Sequence, residues 1–200
     1  MPVLGITGGI ASGKTLFTEC LSSYCPSLRV FDADRCAREL TASDPAILAG
    51  IRDYFGSGVF DASGALQRSS LRGIVFSDPQ KRKALEAILH PAIRRAWLDL
   101  ARAVREEPGS PWLAVDIPLL FETAAEIHFD HIVVVACSAH TQRRRLMEKR
   151  HIPPALADSM IAAQLPLVTK IHRANTVVWN DGLTQGIQSQ AALFAQTLLS

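Results

Sequence analysis

Residues 8–15, which read GGIASGKT, have the residue types and spacing that suit the binding of a phosphate chain. Glycines let backbone N–H groups approach a phosphate closely, because no Cβ atom stands in the way. Lys14 supplies a positive charge for the β- and γ-phosphates, and the hydroxyl of Thr15 suits a Mg²⁺ ion. The alternative is an ordinary turn between a strand and a helix, with Lys14 in solvent. The order of apolar strand, loop and amphipathic helix favours a phosphate loop.

Two aspartates stand where predicted strands end. Asp32 comes directly after the run 28–31, and ligands gather at the carboxyl ends of strands in open α/β sheets. Phosphoryl transfer to an alcohol needs a carboxylate that orients the hydroxyl and accepts its proton, and Asp32 is our candidate. Capping of the next helix, the alternative role, suits Asp34 better. Asp116, in the run 112–117, either contacts Mg²⁺, directly or through water, or binds loop amides.

Residues 143–150 form a basic segment on one predicted helix. Arg145 and Lys149 are four residues apart and therefore share a face of that helix. A charge run of this kind is commonly a solvated helix face. The alternative is a lid that closes over a triphosphate, neutralises the charge on the transferred oxygens and excludes water. We favour the lid, with Arg145 as its functional arginine.

Five short apolar runs predict the strands that must position these residues. They are rich in β-branched residues and do not alternate with polar ones, which is typical of parallel strands covered on both faces. Helical patterns lie between them, so the chain is predicted to form a doubly wound α/β sheet. The predicted strands are 3–7, 28–31, 112–117, 131–137 and 175–179, and the predicted helices are 14–23, 34–40, 44–55, 78–107, 139–150, 154–163 and 184–198.

The spacing of the strands predicts an insertion. Roughly eighty residues separate the second and third strands, far more than one crossover requires. We interpret 35–108 as an inserted, mostly helical subdomain whose long helix kinks or breaks at Pro91. Segment 139–173 is interpreted as the lid and the helices that follow it. The core of the domain is then formed by 1–34, 109–138 and 174–200.

The composition excludes several classes of protein. The chain has 200 residues and a formal net charge of +2, so its overall charge gives no sign of nucleic-acid binding. It has no apolar run long enough to cross a membrane and nothing like a signal peptide. Its four cysteines form no CxxC pair, and His128 and His131 have no third zinc ligand nearby. These features predict a reduced, cytoplasmic protein.

Several motifs together resemble those of the dephospho-coenzyme A (dephospho-CoA) kinases, essentially from end to end. They are TGGIASGKT, DADRCAR, GALQRSSLRGIVF, LHPAIR, DIPLLFE, QRRRLMEKR, AAQLP and NDG. The resemblance implies a P-loop NTPase fold, a doubly wound parallel five-stranded sheet with a helical acceptor-binding insertion and a small helical lid. It also implies ATP-dependent, Mg²⁺-assisted phosphorylation of the ribose 3′-hydroxyl of dephospho-CoA. We expect ATP and dephospho-CoA as partners, and a monomer or weak homo-oligomer.

The resemblance assigns roles to single residues. It implies catalytic roles for Asp32 and Arg145. The residue pattern adds Lys14 as a catalytic residue, and Thr15 and Asp116 as expected Mg²⁺ contacts. The expected acceptor contacts are Asp32, Gln67, Arg68, His90 and Asp116, and the expected ATP contacts are Gly9, Ala11, Ser12, Gly13, Lys14, Thr15, Leu16 and Asn180, the last of them near the adenine. Leu16 departs from the family pattern, which usually has threonine there, and Lys149 replaces a usual lid arginine.

Three other functions compete with this interpretation. Another small-molecule or nucleotide kinase could use the same scaffold, but the LQR and LHP elements of the insertion match the dephospho-CoA kinases. A GTPase switch would carry an N-K-x-D guanine motif, which the sequence lacks. A non-catalytic nucleotide-binding module would not need Asp32 and a lid arginine together.

Overall fold

The computed structural model describes residues 2–107 and 112–199, except for the side chains of Phe76 and Leu199, and it contains a five-stranded parallel sheet. The order β2-β3-β1-β4-β5 places β1 at the centre, where all six of its residues are buried. This confirms the predicted parallel sheet. The strands are β1 (Val3–Gly8), β2 (Arg29–Asp32), β3 (Leu113–Asp116), β4 (His131–Ala136) and β5 (Thr176–Trp179).

Helices connect these strands, together with 3₁₀ turns at Ser57–Val59 and Glu126–His128. The helices of the described ranges are α1 (Lys14–Tyr24), α2 (Ala33–Ser43), α3 (Pro45–Phe55), α4 (Arg68–Ser77), α5 (Pro79–Glu106), α6 (Ala139–Arg150), α7 (Pro154–Ala162), α8 (Leu167–His172) and α9 (Thr184–Leu199). None of them is both long enough and apolar enough to cross a membrane.

The structure departs from the predicted helices in three places. Helices α4 and α8 lie in segments for which the sequence predicts no helix. Helix α5 runs through Pro91 for 28 residues, so no break occurs there. A proline removes one backbone donor, here the partner expected for the carbonyl of Ala87, and the remaining bonds of a long helix survive that loss.

The chain folds into two compact units, of which the first contains the sheet. It comprises the described residues up to Asp32 and from Ala101 onward. Alternate residues of β4 face opposite ways, because successive side chains of a strand point to opposite faces. Val133 and Val135 pack with α1 and α9, whereas Ile132 and Val134 pack with α8 and the loop after β3. Helices therefore cover both faces of this sheet.

The second unit, Ala33–Leu100, has a hydrophobic core of its own. Helix α3 begins at Pro45, and the side chain of Asp44 caps it by accepting bonds from the N–H groups of Ala46 and Ile47. This cap satisfies donors that a helix N-terminus would otherwise leave without a partner. The buried residues of the core are Ile47, Ile51, Val59, Phe60 and Leu71.

The four cysteines differ in exposure. Cys20, Cys25 and Cys137 are buried in the first unit, whereas Cys36 lies partly exposed on α2 in the second. Burial raises the pKa of the Cys137 thiol to about 11.

Candidate active site

The phosphate loop, residues 8–15, leads from the centre of the sheet into α1. Gly13 is the N-cap of that helix and has a φ of 97°, a left-handed conformation that favours glycine. A Cβ atom at Gly13 would lie 2.2 Å from Nδ2 of Asn180, and one at Gly9 would lie 2.3 Å from Nε2 of Gln142. Glycine is therefore favoured at position 13 by its backbone conformation, and a side chain at either position would displace the side-chain amide packed against it.

The N-terminus of α1 has the features of an anion site. The first N–H groups of a helix lack partners within the helix, and the helix dipole places positive potential there. No described side chain caps α1, whose first residue is Lys14. Within the loop, the N–H of Ser12 donates to the carbonyl of Gly9 at 3.1 Å, which curls the backbone into a turn. This arrangement can hold a phosphate group with main-chain amides.

A cavity of about 540 Å³ opens beside the phosphate loop, a volume typical of sites for small ligands. Apart from Lys14, its basic lining residues are Arg144, Arg145, Lys149 and Arg150, so basic residues outnumber the single acid, Glu148. A cavity of this size and charge suits a polyanion. The remaining lining residues are Gly9, Ala11, Ser12, Gly13, Lys14, Thr15, Leu16, Asn180, Gly182, Leu183 and Thr184, which include every residue predicted to contact ATP.

Arg145 lies against the phosphate loop. Its Nη1 atom donates to the carbonyls of Ala11 at 3.2 Å and Ser12 at 3.1 Å, and its Nη2 atom donates to the carbonyl of Asn180 at 2.8 Å. Ala11 has a φ of 57°, a left-handed conformation that costs a non-glycine residue about 1 kcal/mol. The bonds to Arg145 and the packing around them hold the loop in that conformation.

Asn180 lies beside the phosphate loop, just after β5. Its side chain is buried, and its Nδ2 atom donates to the carbonyl of Ser12 at 2.8 Å. The amide group therefore braces the loop, and the same residue lines the cavity.

Four further side chains that support the phosphate loop were missed by sequence reasoning. Gln142 donates to the carbonyl of Ile10 at 2.7 Å, and Gln164 accepts from the N–H of Ile10 at 2.8 Å. Lys170 contacts the carbonyl of Gly8 and pairs with Glu122. Three of the four lie within or beside quoted motifs (QRRRLMEKR, AAQLP and DIPLLFE), which marked their segments without indicating these contacts.

Asp32 and Asp116 end two neighbouring strands of the sheet. They are opposite each other in the register of β2 and β3, and adjacent strands lie about 4.8 Å apart. One oxygen of Asp116 lies 3.9 Å from Nζ of Lys14, with both side chains mostly buried. The structure thus brings the phosphate loop and both carboxylates to the same end of the sheet, where the carboxyl ends of the parallel strands lie.

Asp32 and Asp34 differ slightly from their predicted positions. Asp32 is the last residue of β2 rather than the first one after it. Helix α2 begins at Ala33, so Asp34 lies in its first turn and not before it. A carboxylate in the first turn still interacts favourably with the helix dipole.

The other predicted acceptor contacts lie in the second unit. Gln67 is the N-cap residue of α4 and accepts a bond from the hydroxyl of Ser70 at 3.0 Å. The guanidinium of Arg68 donates to the carbonyl of Arg38. His90 is half-buried in α5; burial lowers its pKa, Glu86 raises it and Arg94 lowers it.

Comparison with known proteins identifies the family. A family model described as dephospho-CoA kinase matches residues 2–186. The dephospho-CoA kinase of Gloeobacter violaceus is 40% identical over 180 residues, covering 90% of this chain and 84% of the relative. That of Thermosynechococcus vestitus is 41% identical over 187 residues, covering 94% and 90%.

A solved structure shows the same fold. The dephospho-CoA kinase from Campylobacter jejuni matches with a TM-score of 0.65 and 20% identity, over 98% of this chain and 97% of that one. Sheet order, phosphate loop and flanking helices are those of a P-loop kinase. With the family model and relatives of about 40% identity along most of its length, the chain belongs to the dephospho-CoA kinase family.

Proposed function

We propose that this chain is an ATP-dependent dephospho-CoA kinase. It transfers the γ-phosphoryl group of ATP to the ribose 3′-hydroxyl of dephospho-CoA, which yields CoA and ADP in the last step of CoA synthesis. Membership of the family supports the reaction and both substrates. The observation that carries the proposal is the phosphate loop beside two carboxylates that stand opposite each other on adjacent strand ends.

The phosphate loop and α1 bind the triphosphate. Main-chain amides at the start of α1 face the phosphate oxygens, and Lys14 neutralises charge on the β- and γ-groups. The basic residues of the cavity, among them Arg144 and Arg150, add positive potential around the site. These groups stabilise the charge that spreads over the transferred oxygens, which is the main source of catalysis in phosphoryl transfer.

Asp32 serves the acceptor. Its carboxylate is exposed at the end of β2, an edge strand, so the ribose hydroxyl can approach it. It orients the 3′-hydroxyl and accepts its proton as the new bond forms between the 3′-oxygen and the γ-phosphorus. The bond from the γ-phosphorus to the bridging oxygen breaks, and ADP leaves with that oxygen.

Thr15 and Asp116 are the proposed Mg²⁺ contacts. Both supply oxygen ligands, which Mg²⁺ prefers, and Asp116 lies close to the cation of the phosphate loop. The described residues contain no cluster of three or more His, Cys, Asp or Glu that could hold a metal ion. This donor set fits a metal that is held mainly by substrate phosphates and water. When bound, Mg²⁺ would neutralise charge on the β- and γ-phosphates.

Arg145 and the segment 139–173 are proposed to close the site. Three bonds to backbone carbonyls engage the guanidinium, which carries five N–H groups in all, so further donors remain for phosphate oxygens. Lys149 also lines the cavity, and its ammonium group adds a point charge but cannot make the bidentate contact that an arginine makes. Closure would exclude water, which otherwise competes with the ribose hydroxyl for the phosphoryl group.

The remaining roles are proposed from the family pattern. We assign acceptor binding to the insertion 35–108, with Gln67, Arg68 and His90 as contacts. The enzyme is proposed to act in the cytoplasm as a monomer or weak homo-oligomer. Four cysteines in the thiol form are consistent with a reducing compartment.

A panel of acceptors tests the proposed function. Purified protein with ATP and Mg²⁺ is given dephospho-CoA, shikimate or a nucleoside monophosphate, and ADP release is followed. We expect turnover with dephospho-CoA alone, and ³¹P NMR should place the new phosphate on the ribose 3′-oxygen. Lys14→Ala is the control for background ATPase activity. Equal or greater turnover with a nucleoside monophosphate would show instead a different P-loop kinase.

A further inference from the structure

Lys170, on α8, is completely buried behind the phosphate loop. Its Nζ atom lies 2.7 Å from Oε1 of Glu122 and 3.4 Å from the carbonyl oxygens of Gly8 and Pro118. An ammonium group has three N–H donors, and these three acceptors match them. The ammonium group is therefore held by contacts with two loops, the phosphate loop through Gly8 and the loop after β3 through Pro118 and Glu122.

Burying a lysine is unfavourable unless its charge is compensated. Burial lowers the pKa of Lys170, and the carboxylate of Glu122 opposes that effect. Glu122 is itself fixed, since Oε1 also accepts a bond from the N–H of Leu165 at 3.0 Å. Lys14 lowers the pKa of Lys170 further, because the two ammonium groups repel each other. A phosphate group beside the loop would reduce that repulsion.

The contact with Gly8 sets the direction of the peptide that opens the phosphate loop. In a trans peptide the carbonyl of one residue and the N–H of the next point in opposite directions. Lys170 holds the carbonyl of Gly8 on its own side, so the N–H of Gly9 is turned away from Lys170. Gly9 lines the cavity, which is where a phosphate oxygen would accept that N–H.

We propose that Lys170, held by Glu122, is a positioning residue for ATP: it fixes the first peptide of the phosphate loop and adds a buried positive charge behind it. This inference deepens the proposed function and rests on it for the identity of the nucleotide. The rival explanation is an ion pair that only stabilises the fold. The two differ in what happens when both charges are removed together.

The test compares the variant Lys170→Met with the double variant Lys170→Met/Glu122→Gln. The single variant leaves the carboxylate of Glu122, which is 20% exposed, without its cation, so its unfolding temperature should fall. The double variant removes both charges at nearly constant shape, so much of that stability should return. In both, binding of a non-hydrolysable ATP analogue should weaken by about tenfold or more, as expected when charge-assisted bonds are lost.

Kinetics separate positioning from loss of folded protein. We expect the KM for ATP to rise in both variants, while the KM for dephospho-CoA stays within about twofold of the wild-type value. A smaller folded fraction would lower kcat and leave both KM values unchanged. If the double variant binds the analogue as tightly as the wild type, Lys170 has only a structural role and the proposal is overturned.

A neighbouring ion pair offers a matched control. Arg173 lies three residues beyond Lys170 in the sequence. It pairs with Glu126, and its guanidinium also stacks on the ring of Phe121. Arg173→Met/Glu126→Gln should keep the wild-type affinity for the analogue. An equal loss there would mean that any ion pair in this region supports binding, which contradicts a specific role for Lys170.

The binding experiment needs no acceptor, so it is independent of the proposed reaction. A wild-type protein that fails to phosphorylate dephospho-CoA would overturn the proposed function. Weaker analogue binding by the two Lys170 variants would still support the positioning role in that case.

Discussion

Asp32 and Asp116 have different surroundings although they end adjacent strands. Asp116 lies beside Lys14 with only 14% of its side chain exposed, as suits a group that works with the phosphates and their metal. Asp32 lies on the edge strand β2 and is exposed to solvent. This difference in exposure supports the proposal that Asp32, rather than Asp116, orients the acceptor hydroxyl.

Asp32→Asn should lower kcat by about 10²- to 10⁴-fold, because an amide cannot accept the proton of the ribose hydroxyl. The KM for ATP should stay nearly constant, since the triphosphate is bound by the phosphate loop. Steady-state kinetics with both substrates varied would measure this. Asp34→Asn, the same change two residues away on the exposed start of α2, is the control. Loss of ATP affinity with unchanged turnover would indicate a metal-binding or structural Asp32.

Sequence reasoning identified the candidate residues whose signal is local. The phosphate loop is one continuous motif, and both aspartates directly end apolar runs. It missed Gln142, Gln164 and Lys170, whose bonds to the loop span 132, 154 and 162 residues along the chain. Gln142 lies in a predicted helix, where a polar residue is normally on the surface, whereas Gln164 and Lys170 lie outside every predicted helix. No local pattern therefore indicated the bonds of these three residues to the loop.

Helix α5 shows how a long element tolerates a locally unfavourable residue. Pro91 lies within it, yet the flanking Ile88, Leu89 and Ala92 pack against the core of the second unit. Packing of an apolar face contributes more to helix stability in proteins than propensity does. The helix is therefore maintained by its contacts, although one backbone bond is missing.

Pro91→Ala should raise the free energy of unfolding by about 1–2 kcal/mol. A proline inside a helix costs about 3 kcal/mol, and its stiffening of the unfolded chain offsets part of that cost. Chemical denaturation of the purified variants would measure the change. Pro45→Ala is the control, because Pro45 occupies the first turn of α3, where proline is favourable. A gain in stability at Pro45 but not at Pro91 would contradict this explanation.

The strands were predictable to within one residue at each end, because parallel strands tend to be continuous apolar runs. The expectation that all five are covered on both faces was wrong for the edge strands β2 and β5, which are largely exposed. Helix α4 was not predictable from the sequence, because Gly73 and the serines of this segment favour a loop. It forms because Leu71, Ile74 and Val75 pack onto the core of the second unit. Helix α8 has only six residues, too few for a helical period to be recognised.

The whole molecule combines two units, each with a core of its own. The parallel sheet follows from strand patterns that any α/β protein shares, whereas the acceptor was predicted only through motifs characteristic of one family. That the insertion binds the acceptor and that 139–173 acts as a lid stay predictions. Both concern complexes with ligands, which hydrophobic patterns and core packing do not encode.

Each unit also contains a histidine that should make the stability of the protein sensitive to acid. Burial lowers the pKa of His131 in the first unit and of His90 in the second. The unfolded chain then binds more protons below its own pKa of 6.5, so stability is complete above that value and falls as the pH drops through it.

Denaturation at several pH values between about 8 and 5 would measure this loss of stability. His131→Gln and His90→Gln should each make the loss smaller, because the group that takes up the proton on unfolding is gone. The same substitution at exposed His140 is the matched control. An unchanged pH dependence in both variants would show that other groups cause the acid sensitivity.

The unequal exposure of the cysteines has a practical consequence. Burial raises the pKa of Cys20, as does the charge of Glu19, and burial raises that of Cys137 to about 11, so these thiols stay protonated and unreactive. Cys25 is shielded as well, which leaves Cys36 of α2 as the most accessible thiol. A maleimide dye would therefore label the natural sequence selectively on the second unit. The protein thus carries its own attachment point for a fluorescent dye on the second unit, where the proposed binding of dephospho-CoA could be followed.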